Sequence, residues 1–153
     1  METLAATIRQ QGEGEKLWFC GGGIFTWKVT GAETGGAFFI IEDQLEQGKV
    51  TPLHIHPDAD ESFYMIEGEI LVHIDGKETS VGQGGLAMFP RRVPHAFKVT
   101  SPTAKMLSFQ NPAAGEAFYR HASEAQPTPV DFDRIRAAAE ATGAIEILGP
   151  PPF

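Results

Sequence analysis

The sequence predicts an all-β fold, a small antiparallel barrel of jelly-roll type with a short C-terminal helical appendage. Three observations carry this. Short apolar stretches with strand-like alternation recur along residues 17–110. Glycine and proline, 17 and 11 of 153 residues, fall between them as turn residues. One capped helical stretch occurs, and only after residue 110. A chain of this length makes one domain, and a hydrophobic content of 42% is enough to bury a core.

Residues 1–16 are polar and weakly patterned, and read as an N-terminal arm. Leu17-Trp18-Phe19 begins the strand signals and is broken by Gly21-Gly22-Gly23. Within Ile24–Thr30, Phe25, Trp27 and Val29 alternate with Thr26 and Lys28, a period of two. Ala37–Ile41 is apolar on both faces and predicts a strand covered on both sides. Thr51–His56, Glu61–Glu67, Glu69–Ile74, Leu86–Phe89, His95–Thr100 and Lys105–Phe109 complete the strand set, and Asp75-Gly76 reads as a hairpin turn. Residues 17–110 are therefore expected to form the barrel. Residues 111–153 are expected to supply a helix and a proline-rich tail that pack on it. The helix should start with Thr128 as N-cap and Pro129 in its first turn, and stop at Gly143.

Twenty acids against twelve bases leave a net charge of −8, which argues against nucleic acid and anionic membranes as partners. No run approaches the ~20 apolar residues of a membrane span, and no secretory leader pattern is seen. Cys20 is the sole cysteine, so no intramolecular disulfide forms, and it reads as a small buried hydrophobe. A cytoplasmic location is the expectation. The doubly apolar Ala37–Ile41 strand and the arm are compatible with a homodimer, and equally with a monomer.

Three of the five histidines join one acid in a pattern with chemical content. His54 and His56 lie two apart on a predicted strand. Their side chains share a face, with Cα atoms ~6.6 Å apart, and can converge on one ion. Pro57-Asp58-Ala59-Asp60 reads as a turn, with Asp58 and Asp60 shaping it. Glu61 then opens a returning strand, and across a hairpin it would face the same ion. His95 begins a later strand after Pro90-Arg91-Arg92-Val93-Pro94 and can close the site. Imidazole and carboxylate together suit one divalent first-row transition metal: Mn, Fe, Co, Ni, Cu or Zn. Three His and one Glu leave coordination positions open, as catalytic sites do.

These residues resemble the cupin superfamily. Its first motif, G-x5-H-x-H-x(3,4)-E-x6-G, is matched by Gly48, His54, His56, Glu61 and Gly68. Its second, G-x5-P-x-G-x2-H-x3-N, is matched by Gly84, Pro90 and His95. Arg92 stands where the family often has glycine, and Val99 where it often has asparagine. The Arg92 replacement puts the usual turn shape in question and would place a cation near the site. The phrasing, with Ile145-Glu146-Ile147-Leu148-Gly149-Pro150-Pro151 near the C-terminus, is similar to the single-domain quercetin dioxygenase-like cupins.

That resemblance implies a metal-dependent dioxygenase, with His54, His56, Glu61 and His95 as ligands and Glu61 also as general base. The implied reaction is ring opening of a flavonol by O2 with release of carbon monoxide. The partners implied are a small aromatic or enolic substrate and O2. Other outcomes of the same fold stay open: an isomerase, a lyase, a dioxygenase on a different small molecule, or a non-catalytic ligand-binding protein. Phe63 and Met65 follow Glu61 at period two, and Phe97 and Val99 follow His95, so these four are candidates for a pocket wall. Trp27 is a further candidate, with Phe25, Phe38 and Ile40 behind it. Arg92, with Arg91, is a candidate cationic lip.

Overall fold

The structure is a computed structural model and describes residues 3–153. Among the described residues, twelve strands form two antiparallel sheets. The strands are β1 (Glu15–Phe19), β2 (Ile24–Val29), β3 (Phe39–Glu46), β4 (Leu53–Ile55), β5 (Asp60–Glu67) and β6 (Ile70–Ile74), followed by β7 (Lys77–Val81), β8 (Leu86–Phe89), β9 (His95–Val99), β10 (Thr103–Asn111), β11 (Ser123–Glu124) and β12 (Glu146–Gly149). The larger sheet has the order β11-β1-β2-β3-β10-β5-β8, and the smaller β12-β4-β9-β6-β7. The two sheets face each other as a jelly-roll sandwich and are not closed into the expected barrel.

Strict alternation builds the interior. In β3, Phe39, Ile41, Asp43 and Leu45 point inward; in β10, Ala104, Met106, Ser108 and Gln110 do. The expected strand at Ala37–Ile41 begins two residues later. Its outer face is only half-covered, because Phe38 and Ile40 are partly buried. Asp75-Gly76 does turn β6 into β7, as its sequence predicts. Gly68, between β5 and β6, has φ +81°, and a Cβ there would run into the Thr103 carbonyl and Ser101 Oγ. The turn therefore requires glycine.

The C-terminal segment is woven into both sheets. Helices α1 (Glu116–His121) and α2 (Phe132–Thr142) lie in it, β11 pairs with β1, and β12 pairs with β4. The α2 cap is Asp131 and not Thr128. The Asp131 carboxylate accepts the Arg134 N–H at 3.1 Å, so the helix starts three residues after the predicted position. Gly143 ends it in the left-handed region, as expected. Ile135, Ala138 and Ala139 of α2 join Phe19, Phe25, Trp27, Phe39 and Phe118 in one core cluster. A second cluster, built on Met65, Ile70, Phe89, Phe97 and Val99, joins β5 and β8 of the larger sheet to β6 and β9 of the smaller. Among the described residues no helix is long and apolar enough to cross a membrane.

Candidate metal centre

The four predicted ligands come together between the sheets. One ligand atom from each of His54, His56, Glu61 and His95 lies within 4.8 Å of the others, and all four residues are buried. Their arrival differs from the hairpin the sequence predicts. β4 and β5 belong to different sheets, so residues 56–59 carry the chain from one layer to the other. Glu61 thus faces the histidines across the sandwich and not across a ladder. His54 and His95 are direct register partners on β4 and β9, with ring centroids 4.5 Å apart.

The rings are preset for coordination. The Nδ1–H of His54 donates to the Pro52 carbonyl at 2.8 Å, and that of His95 to the Val93 carbonyl at 2.9 Å. Both Nε2 atoms are thereby left as ligand atoms. The His95 ring also stacks on Phe89 at 4.0 Å, which fixes its plane. His56 Nε2 is buried with no hydrogen-bond partner, and it sits 3.2 Å from Glu61 Oε2. Such an orphaned nitrogen, beside two further Nε2 atoms and a carboxylate, fits a divalent first-row ion.

Electrostatics support the same reading. Burial, with His95 and His56 alongside, pulls the His54 imidazole down to about 3, so it stays neutral as a ligand must. Burial alone would raise the Glu61 carboxyl. The His56 and His95 imidazoles outweigh it and hold Glu61 well below the usual carboxylate range.

Two residues outside the predicted set complete the centre. Gln110 Nε2 donates to Glu61 Oε2 at 3.0 Å, and the Tyr119 hydroxyl donates to the same oxygen at 3.2 Å. Gln110 continues β10 past the predicted end at Phe109, and its inward phase after Ser108 is the signal that would have placed it. Tyr119 was hidden because α1 has no side-chain cap; only the Glu116–Arg120 pair at i,i+4 marks that helix. Gly115 lets α1 approach, since a Cβ there would run into the Gln110 amide. Replacing Gln110 with alanine is expected to weaken metal affinity by about 10–100-fold with the fold intact, as removal of a group that orients a ligand does. Competition against a chelator measures it, and an unchanged affinity would show that Gln110 does not orient Glu61.

The cluster opens onto a cavity of about 60 Å³ lined by His54, His56, Glu61, Phe19, Phe25, Phe63, Phe97 and Tyr119, among others. Of the predicted wall residues, Phe63 and Phe97 line it. Met65, Val99 and Trp27 are instead core: Met65 and Val99 sit in the second cluster, and Trp27 packs on Phe39 at 5.3 Å. Phe25 lines the cavity, whereas Phe38 packs on Phe109 at 5.3 Å. Arg92 is exposed and does not line the cavity. It keeps the turn by adopting φ +67°, and its N–H donates to the His56 carbonyl at 2.9 Å. Arg91 pairs with Asp60 at 3.2 Å, and Asp60 also accepts the Arg91 N–H, so this acid braces the later turn at Arg91 and not the 57–60 turn it was expected to shape. Cys20 is fully buried in the first cluster.

Asp43 and Lys49 face the same cavity. Asp43 Oδ2 accepts from Ser108 Oγ at 2.9 Å, while its Oδ1 is buried without a partner. Burial pushes Asp43 up to about 7 and pulls Lys49 down to about 8.

Fold and site together define a class: an antiparallel jelly roll with a three-histidine, one-glutamate cluster between its layers that can hold a metal ion. Within that class, residues 42–109, which carry all four residues of the cluster, match the family model described as Cupin domain. A curated relative, quercetin 2,3-dioxygenase from Bacillus subtilis (strain 168), is 26% identical over 142 residues covering 88% of this chain. The chain spans only 42% of that relative's length. Among solved structures, a RmlC-like cupin from Shewanella frigidimarina NCIMB 400 superposes with a TM-score of 0.61 at 17% identity, over 71% of this chain and 93% of that one. A variant of oxalate decarboxylase from Bacillus subtilis reaches a TM-score of 0.60 at 24% identity, over 74% of this chain and 31% of that one. Both likenesses are of fold.

Proposed function

We propose that the chain is a metal-dependent cupin oxygenase, most like a flavonol 2,4-dioxygenase, acting with O2 on an aromatic enol. The observation that carries this is the His54, His56, Glu61 and His95 cluster at the end of an aromatic-lined cavity. The likeness to a quercetin 2,3-dioxygenase over 88% of this chain supports it. A divalent ion bound there would supply Lewis acidity and lower the pKa of a substrate hydroxyl.

Glu61, the only carboxylate of the cluster, accepts the hydroxyl proton as general base. Gln110 and Tyr119 hold its Oε2 and so keep the carboxylate aimed while the proton moves. His54, His56 and His95 serve as ligands only. Phe19, Phe25, Phe63 and Phe97 form apolar walls that keep water from reactive species.

A second reading rests on the cavity volume of about 60 Å³, which favours a smaller molecule. Under it the protein is another metal-dependent cupin enzyme, an isomerase, a lyase or a dioxygenase acting on a small acid or enol.

Oxygen uptake separates the two. The protein is reconstituted separately with Mn, Fe, Co, Ni and Cu and given quercetin. Uptake that depends on the ion and is absent from the metal-free protein is the expected result. No uptake with any ion at full metal stoichiometry would remove the flavonol reading and leave the second.

A further inference from the structure

An aromatic substrate needs more room than the inner cavity has. At about 60 Å³ it holds roughly two waters, while even benzene occupies engineered cavities of ~150 Å³. The missing space lies next door. An open cleft of about 760 Å³ runs along the same end of the sandwich. Phe19, Gly21, Leu45, Lys49, Val50 and Phe132 line both the cleft and the cavity, so these six side chains and backbone segments form the partition between them.

Lys49 is the one polar group in that partition with a side-chain charge. Its Nζ donates to the Gly21 carbonyl at 2.6 Å and lies 4.8 Å from the centre of the Phe19 ring. It therefore bridges the neck. Among the described residues it is also the only lysine or arginine lining the inner cavity. The outer cleft adds Lys105 but also Glu46 and Glu67, so it offers no net attraction for an anion. The whole chain, at −8, repels one. Apart from an ion held by the four-residue cluster, a negatively charged substrate would thus meet its one favourable side-chain charge at the neck, with Asp43 and Glu61 as the acids facing the same cavity.

We infer that Lys49 is a substrate-binding residue that selects a planar anion, an enolate or phenolate, whose reacting end enters the inner cavity while its remainder lies in the outer cleft. On binding, Nζ exchanges the Gly21 carbonyl for an anionic oxygen of the ligand, a charge-assisted bond that is the stronger of the two. This rests on the proposed function in one respect only, that the ligand is an aromatic enol.

The test is binding, so it does not depend on turnover. The probe is 4-nitrocatechol, an acidic aromatic diol, with its dimethyl ether as the uncharged control. Both are titrated calorimetrically into cobalt-loaded wild-type protein and into the Lys49→Met, Lys49→Gln and Lys49→Arg variants. Lys49→Met and Lys49→Gln are expected to raise the Kd for 4-nitrocatechol about 10-fold or more. Lys49→Arg should stay within about threefold, and Kd for the ether should not change. Cobalt stoichiometry and thermal midpoint report that each variant is folded and loaded, and the glutamine variant serves where the methionine variant does not fold. Equal loss of both probes would assign Lys49 a structural role and overturn the inference. So would an unchanged Kd for 4-nitrocatechol, or no binding of it by the wild type. Failure of quercetin-dependent oxygen uptake in the wild type bears on the proposed function alone and leaves this ratio untouched.

Discussion

Changing Glu61 to alanine is expected to abolish quercetin-dependent oxygen uptake and to weaken metal binding, in a chain that still folds. Two losses combine. Glu61 is one of four residues whose ligand atoms lie within 4.8 Å of each other, and the only anion among them. Its removal should cost more than the ~10–100-fold typical of groups that merely orient a ligand. The general-base contribution, ~10²–10⁴-fold in rate, disappears with it. The Glu61→Gln variant separates the terms. It keeps the volume and one potential ligand oxygen, and it removes the charge and the basicity. Metal content by competition titration and uptake at saturating metal give the two numbers. If Glu61→Gln takes up oxygen at the wild-type rate when fully loaded, Glu61 is a ligand and not a base. If Glu61→Ala does so, it is neither.

Replacing Phe39 with alanine is expected to destabilise the chain by about 3–5 kcal/mol, a large part of the ~5–15 kcal/mol that holds a typical domain together. Phe39 is completely buried. Its ring meets Trp27 at 5.3 Å and Tyr119 at 5.9 Å, both edge-on. It joins the larger sheet to α1, and α1 carries the Tyr119 hydroxyl that holds Glu61. The site should therefore loosen along with the core. Urea unfolding measures the stability, and a midpoint shift worth less than about 1 kcal/mol would show that α1 does not depend on this ring. Metal affinity at low denaturant should fall in the same variant, because Tyr119 loses part of its support.

Much of this molecule is legible in local pattern. Alternation in Glu61, Phe63 and Met65, and in His95, Phe97 and Val99, put these side chains on the inward face where the structure has them. A strand exposes its two faces to different surroundings with a period of two, so a few consecutive residues suffice to read it. The identities of the ligands are equally local, since imidazole and carboxylate are chemical facts of single residues. Gly68 carries its own reason in a backbone angle that other residues adopt only under strain.

What the pattern could not show is which sheet each strand joins. Residues 54–61 read as a hairpin, and the chain instead crosses between layers there, because the sheet a strand enters depends on partners far along the chain: β4 pairs with β9 and β12, and β5 with β8 and β10. The same non-local packing brought Gln110 and Tyr119 to Glu61, and sent Trp27, Met65 and Val99 to the core. Alternation says that a side chain points inward; it carries no information about what stands opposite. The start of α2 turned on one hydrogen bond, from the Arg134 N–H to Asp131, which Thr128 and Pro129 had no means of signalling. Lys49 is the clearest case. In sequence it is one lysine beside Gly48, and its position in the neck exists only because β1, the Lys49 loop and α2 meet at one end of the sandwich.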